Sequence, residues 1–187
     1  MLRTFSLFAG MSLLAVVSST GCIADADDTD TTDNADEHDE GIATSESAVI
    51  SARPFGCIGA QIALRASSGH YVAAEGGGGG AVNANRVQIR EWEMFTVHDL
   101  GSRKVALQTW NGHYVVAEGG GGREVKADRR VRSVWETFVL ERHPNGSDWA
   151  LKAANGQYVV AEGGGGGTVN ANRSAARAWE AFTAVCL

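Results

Sequence analysis

Residues 62–86 read IALRASSGHYVAAEGGGGGAVNANR, residues 105–129 read VALQTWNGHYVVAEGGGGREVKADR, and residues 149–173 read WALKAANGQYVVAEGGGGGTVNANR. Each is followed, after a short gap, by one more shared phrase: WEMF at 92–95, WETF at 135–138 and WEAF at 179–182. Tyr71, Tyr114 and Tyr158, the three tyrosines of the chain, occupy one position of this unit, 43 and 44 residues apart. The steps from each Tyr to Ala84, Ala127 and Ala171, and on to Trp92, Trp135 and Trp179, keep the same length. Self-similarity at a fixed period marks a fold built from one repeated supersecondary unit.

The unit parses into four short strands. Ile62-Leu64-Ala66 and its counterparts alternate with polar or small residues, the period-2 pattern of a half-buried strand. Ser68-Gly69, Asn111-Gly112 and Asn155-Gly156 fall where a two-residue hairpin turn belongs, and Asn-Gly suits type I′ geometry. A Tyr-Val-x-Ala strand follows, then the glycine run, then a third strand at Val82-x-Ala84, Val125-x-Ala127 and Val169-x-Ala171. The fourth strand is expected to carry Trp and Phe of the W-E-x-F phrase (Phe95, Phe138, Phe182). Three copies of four strands give twelve. Three propeller blades fall short of the usual four to eight. The pattern predicts an all-β chain with a single β-trefoil of three pseudo-symmetric repeats, at about 60–103, 104–147 and 148–187. A domain of this size buries roughly 65% of its unfolded surface, enough for one core.

The residues ahead of the repeats are of another kind. Arg3 precedes an apolar run from Phe5 to Val17, shorter than the roughly 20 residues that span a bilayer but of signal-peptide proportions. Ser19-Thr20-Gly21-Cys22 resembles a bacterial lipoprotein cleavage box, with Ser19 where that box usually carries an aliphatic residue. The resemblance implies a signal peptide over 1–21 and a lipidated Cys22. With Ile23 next, it also implies an outer-membrane or cell-surface destination. Residues 22–52 form an acidic tether. Between 25 and 47 lie ten Asp and Glu with no Lys, Arg or aromatic residue, a composition that cannot offset the entropy of ordering. The trefoil is placed at 53–187.

The chain has three cysteines. Lipidation of Cys22 leaves Cys57 and Cys186 to pair, and the first and last strands of a trefoil meet, which brings these two together. The whole chain carries a net charge of −6, but residues 48–187 hold 15 Lys and Arg against 12 Asp and Glu. The acidity belongs to the tether, and the domain is mildly basic.

The pattern G-x-Y-V-x-A-E-G-G-G-G-x-x-V-x-A-x-R, then W-E-x-F, resembles the fascin-like β-trefoil group over about residues 58–187. That group includes actin-bundling fascins and modules joined to bacterial and plant glycoside hydrolases. Ricin-type trefoils match less well, since their Q-x-W is absent. The resemblance implies a non-catalytic binding module. Carbohydrate is the leading expectation. The alternatives are a protein partner, with actin the extreme case, and a structural or adhesive surface protein.

Several residues are candidates for a ligand site. The glycine runs Gly76–Gly80, Gly119–Gly122 and Gly163–Gly167 hold 14 of the 24 glycines; they either let a ligand approach bare backbone or satisfy positive φ in a long connection. Glu75, Glu118 and Glu162 precede the runs. Asn83, Asn170 and Lys126 follow on the third strand. Carboxylate and amide groups there suit sugar hydroxyls, or else stitch the hairpin. His70 and His113 align with Gln157, an exchange that suits a hydrogen-bonding role better than catalysis or metal binding. Trp110 sits at a turn where the other copies have Ser67 and Ala154; it is open to stacking on a sugar or a partner, or to packing on the neighbouring copy. Arg86, Arg129 and Arg173 either form a patch for an anionic polymer or pair with the nearby glutamates. No catalytic constellation, zinc spacing or nucleotide loop is found, so neither enzyme activity, metal nor cofactor is expected. Nucleic acid does not suit an exported domain of modest charge.

Overall fold

The computed structural model describes residues 53–57 and 60–187. The signal peptide at 1–21, the lipidation site Cys22 and the tether at 22–52 lie outside the described residues. Copy one supplies β1 (Gln61–Ala66), β2 (Tyr71–Ala74), β3 (Gly80–Arg86) and β4 (Phe95–Asp99). Copy two supplies β5 (Lys104–Thr109), β6 (Tyr114–Ala117), β7 (Val125–Arg129) and β8 (Phe138–Arg142). Copy three supplies β9 (Trp149–Lys152), β10 (Tyr158–Ala161), β11 (Val169–Arg173) and β12 (Phe182–Cys186).

Six of these strands close a ring. β1 pairs β4, β4 pairs β5, β5 pairs β8, β8 pairs β9, β9 pairs β12, and β12 returns to β1, all antiparallel. Closure leaves the ring without an unpaired edge. The other six strands form three hairpins, β2–β3, β6–β7 and β10–β11. They lean on one another at equivalent points: Ala81 against Lys126, Glu124 against Asn170, and Thr168 against Asn83. This is the β-trefoil that the repeats predict.

The core is threefold as well. Leu64, Val72, Val82 and Phe95 of copy one meet Leu107, Val115, Val125 and Phe138 of copy two and Leu151, Val159, Val169 and Phe182 of copy three. All twelve are buried. The space left among them is about 20 Å³, so the interior is packed side chains rather than a ligand chamber. Cys57 and Cys186 form a disulfide with Cα atoms 5.5 Å apart across 129 residues. It ties the start of the domain to β12, and it marks a chain that folds in an oxidising compartment.

Two local expectations are corrected. The first hairpin of each copy turns over three residues, not two. Ala66 N–H donates to His70 O at 2.8 Å and Gly69 N–H to Ala66 O at 2.9 Å, and the same pair of bonds recurs in the other copies. A type I′ turn needs positive φ at two successive residues, whereas here only Gly69, Gly112 and Gly156 have it, at 90°, 84° and 87°. Trp92, Trp135 and Trp179 are not on the fourth strands. They lie in a tight turn just before them, which is capped by the adjacent glutamate: Glu93 accepts from Arg90 N–H at 2.8 Å, Glu136 from Ser133 N–H at 2.7 Å, and Glu180 from Arg177 N–H at 2.8 Å.

Candidate functional site: two indoles across one glycine loop

Each glycine run joins its own copy to the next. Gly79 N–H donates to Ala127 O, Gly122 N–H to Ala171 O, and Gly166 N–H to Ala84 O, each at 2.6 Å. Each run also accepts from the next copy's first turn: Asn111 N–H reaches Gly77 O at 3.3 Å, Asn155 N–H reaches Gly120 O at 2.9 Å, and Ser68 N–H reaches Gly164 O at 2.9 Å. Four successive glycines in each run have positive φ, which side chains with a Cβ rarely tolerate. The fifth position does not, and there copy two carries Arg123 in place of glycine. Positive φ at four positions, in a connection that docks on the next copy, accounts for both the length of the runs and their one exception.

The carboxylates beside the runs have close partners. Glu75 accepts from Arg86 at 2.7 Å and from Asn83 at 2.9 Å. Glu162 accepts from Arg173 at 2.7 Å and from Asn170 at 2.8 Å, and Glu118 takes Arg129 on both oxygens at 2.9 and 3.1 Å. The same guanidinium groups approach the buried Glu93, Glu136 and Glu180 at 3.8, 4.0 and 3.8 Å. A Glu-Arg-Glu stack thus braces the second hairpin of every copy. Lys126 pairs with Glu124 at 3.1 Å, an arrangement copy two alone possesses.

The first-turn residues stitch locally too. His113 is buried, and its Nδ1 lies 2.6 Å from Asn111 Oδ1. His70 Nδ1 lies 2.8 Å from Ser68 Oγ, and Gln157 Oε1 accepts from Asn155 Nδ2 at 2.8 Å. His70, His113 and Gln157 occupy one position of the fold by three different hydrogen-bonding solutions.

Trp110 differs from all of these. It is 63% exposed, and cross-copy docking carries it onto copy one. A Cβ built at Gly77 would lie 3.4 Å from Trp92 Cδ1 and 3.6 Å from Trp110 Cδ1, so two indoles approach one bare α-carbon. Trp92 is 40% exposed. Beside it opens a cleft of about 370 Å³ whose lining includes Gln88, Arg90, Glu91 and Trp92. Arg86 lies 5.9 Å from the Trp92 ring centroid. The other two boundaries repeat the glycine and the first indole but not the second: Ala154 faces Gly120 beside Trp135, and Ser67 faces Gly164 beside Trp179. The structure brings Trp110 together with Trp92 at Gly77, with His113 of its own copy beside Gly78 and Gly79, while Glu118 and Lys126 pair with Arg129 and Glu124. Sequence reading treats Trp92 as scaffold because it recurs; the signal for its second use is that Trp110 belongs to the turn that docks across the copy boundary. Among the described residues, no group of three or more His, Cys, Asp or Glu is arranged to hold a metal ion.

These features define the class as a β-trefoil domain with one aromatic pair at a boundary between copies. No protein-family model matches the chain, and no curated protein matches it. Among solved structures, the chain is similar to the designed threefold-symmetric protein ThreeFoil, with a TM-score of 0.61, 16% identity, 68% of this chain covered and 99% of that one. It is also similar to part of a mosquitocidal holotoxin, with a TM-score of 0.61 and 8% identity; the match covers 70% of this chain but 17% of the toxin. At these identities the likeness shows the fold.

Proposed function

We propose that this protein is a non-catalytic carbohydrate-binding module, exported and held at the cell surface by a lipid on Cys22. The observation that carries the reading is the pair of exposed indoles, Trp92 and Trp110, meeting across Gly77. A pyranose ring presents a flat face of C–H groups that covers an indole well, while its hydroxyls hydrogen-bond to polar groups around it. Gln88, Arg90 and Glu91 supply such a rim at the adjoining cleft. The disulfide agrees with an exported protein.

A glycan array probed with the full chain, repeated with Trp110→Ala, tests this. Binding to neutral glycans is expected, with a loss of about tenfold or more in the variant, equivalent to roughly 1.4 kcal/mol. Uniform absence of binding by the unaltered chain overturns the carbohydrate reading. Cosedimentation with actin filaments tests the alternative that the fascin-like repeats raise.

A further inference from the structure

Copy two breaks the symmetry in charge as well as in shape. Residues 104–147 hold seven Lys and Arg against five Asp and Glu, whereas 60–103 hold four of each and 148–187 three of each. Part of this excess lines a second cleft, of about 640 Å³, between the segment after β7 and the β9–β10 turn of copy three. Its lining includes Lys104, Arg132 and Lys152 and no carboxylate. Ser133 and Thr137 contribute hydroxyls, and the remaining surface is mostly small or apolar.

The three cations are not equivalent. Lys152 Nζ is bound to Glu141 at 3.1 Å and lies 4.8 Å from the Tyr158 ring centroid. Lys104 and Arg132 are exposed, and no carboxylate among the described residues lies within ion-pair distance of either. The whole stretch 130–135 beside the cleft is exposed, with Val131 at 79% and Val134 at 65%.

The repeat itself provides the control. At the boundary between copies one and two, the positions of Lys104, Arg132 and Lys152 are held by Gln61, Ile89 and Gln108. At the boundary between copies three and one they are Asp148, Ala176 and Arg65. Only one boundary assembles three cations. It is also the boundary where Ala154 stands in place of Trp110, so no indole occupies that position of the cleft.

We propose that this cleft binds an anionic polysaccharide, a chain whose sugar rings carry carboxylate or sulfate groups. A guanidinium fork matches either oxyanion with two parallel hydrogen bonds. Lys104 adds a second point of attachment in the same cleft, and its apolar lining takes the faces of the rings. A cleft lined by cations from two copies suits a strand-like polymer better than a flat anionic membrane. The site is separate from the Trp92–Trp110 pair and does not depend on it.

The test is titration of the full chain with dextran sulfate, polygalacturonate and neutral dextran, each at low and high salt. The chain is expected to bind at least one of the two anionic polymers, the choice between them naming sulfate or carboxylate, with affinity falling as salt screens the contact. The double variant Lys104→Gln/Arg132→Gln should lose at least tenfold. The charge-keeping variant Lys104→Arg should retain most of the binding. An unchanged thermal melt confirms that the glutamine variant is folded. Equal binding of dextran and dextran sulfate overturns the proposal, as does undiminished binding by the glutamine variant. Preference for anionic phospholipid vesicles over both polymers also overturns it, in favour of a membrane contact.

Discussion

Gly121→Ala would place a methyl group 2.1 Å from Asn155 Oδ1, at a residue whose φ is +128° and ψ 169°. That backbone region is close to glycine-only and costs other residues roughly 1–3 kcal/mol. The amide it strikes is not free to retreat. Asn155 Oδ1 accepts from Gln157 N–H at 2.9 Å, and its Nδ2 donates to Gln157 Oε1 at 2.8 Å. Displacing it forfeits two hydrogen bonds, at roughly 1 kcal/mol each. Restricting the unfolded chain returns about 0.4–1 kcal/mol, leaving a net loss of roughly 2–5 kcal/mol. Gly119→Ala is the control: its φ is +70°, and the nearest atom to the added methyl is Arg123 Cδ at 3.9 Å. With the same return subtracted, left-handed strain alone should cost it about 1 kcal/mol. Urea unfolding with the disulfide intact measures both, as a shift of the midpoint at constant slope. Asn155→Ala should be non-additive with Gly121→Ala by more than about 0.5 kcal/mol, because the two sites touch. Equal costs at Gly119 and Gly121, or strict additivity with Asn155, would refute the docking of each glycine run on the next copy.

Other consequences follow from the same contacts. Gly80→Ala, at the fifth position where no positive φ is required and nothing lies within 4 Å, should be neutral or stabilise by up to about 1 kcal/mol in the same urea assay. Replacing both Cys57 and Cys186 by Ala opens a loop spanning 129 residues and should cost about 5 kcal/mol by the chain-entropy relation, read from the same midpoints. Trp110→Ala should change stability by less than about 1 kcal/mol, since the indole is largely solvent-facing. For Glu141, partial burial pushes the carboxyl pKa up, but hydrogen bonds from Tyr158 Oη and Lys152 Nζ outweigh it and hold it below the ordinary glutamate value. A lowered carboxylate pKa stabilises the fold above the unfolded value, and that contribution fades as pH falls through the folded one. The stability gap between the unaltered chain and Glu141→Gln should therefore be widest near neutrality and close on acidification through the carboxylate range.

Scaffold and site were not equally legible in the sequence. Leu64, Val72, Val82 and Phe95 recur at fixed spacing in every copy because the core of a threefold barrel needs the same volumes three times, so repetition revealed the fold directly. The strand-turn details were less accessible. Asn111-Gly112 has the composition of a two-residue turn, but docking against Gly77 and Gly78 of copy one holds Asn111 in a three-residue turn with its side-chain amide donating to Gly78 O at 3.0 Å. Partners across copy boundaries leave no mark within one repeat. Glu75, Asn83 and His113 stay open in the sequence between ligand groups and braces of their own hairpins, because a repeat gives composition and spacing but not which side chains meet. For the same reason Lys104 and Lys152, distant in sequence and unremarkable in type, gave no sign that they share a cleft with Arg132. Trp110 stood out because it departs from the repeat, and its partner Trp92 did not because it obeys it.

Neutral glycans are expected to bind at one boundary between copies and not at all three. Indole N–H signals of the five tryptophans, followed by NMR as the tightest neutral oligosaccharide from the array is titrated in, test it most directly. Trp92 and Trp110 should shift together while Trp135 and Trp179 stay in place. Equal shifts of Trp92, Trp135 and Trp179 with Trp110 unmoved, or saturable binding that moves no indole at all, would contradict it.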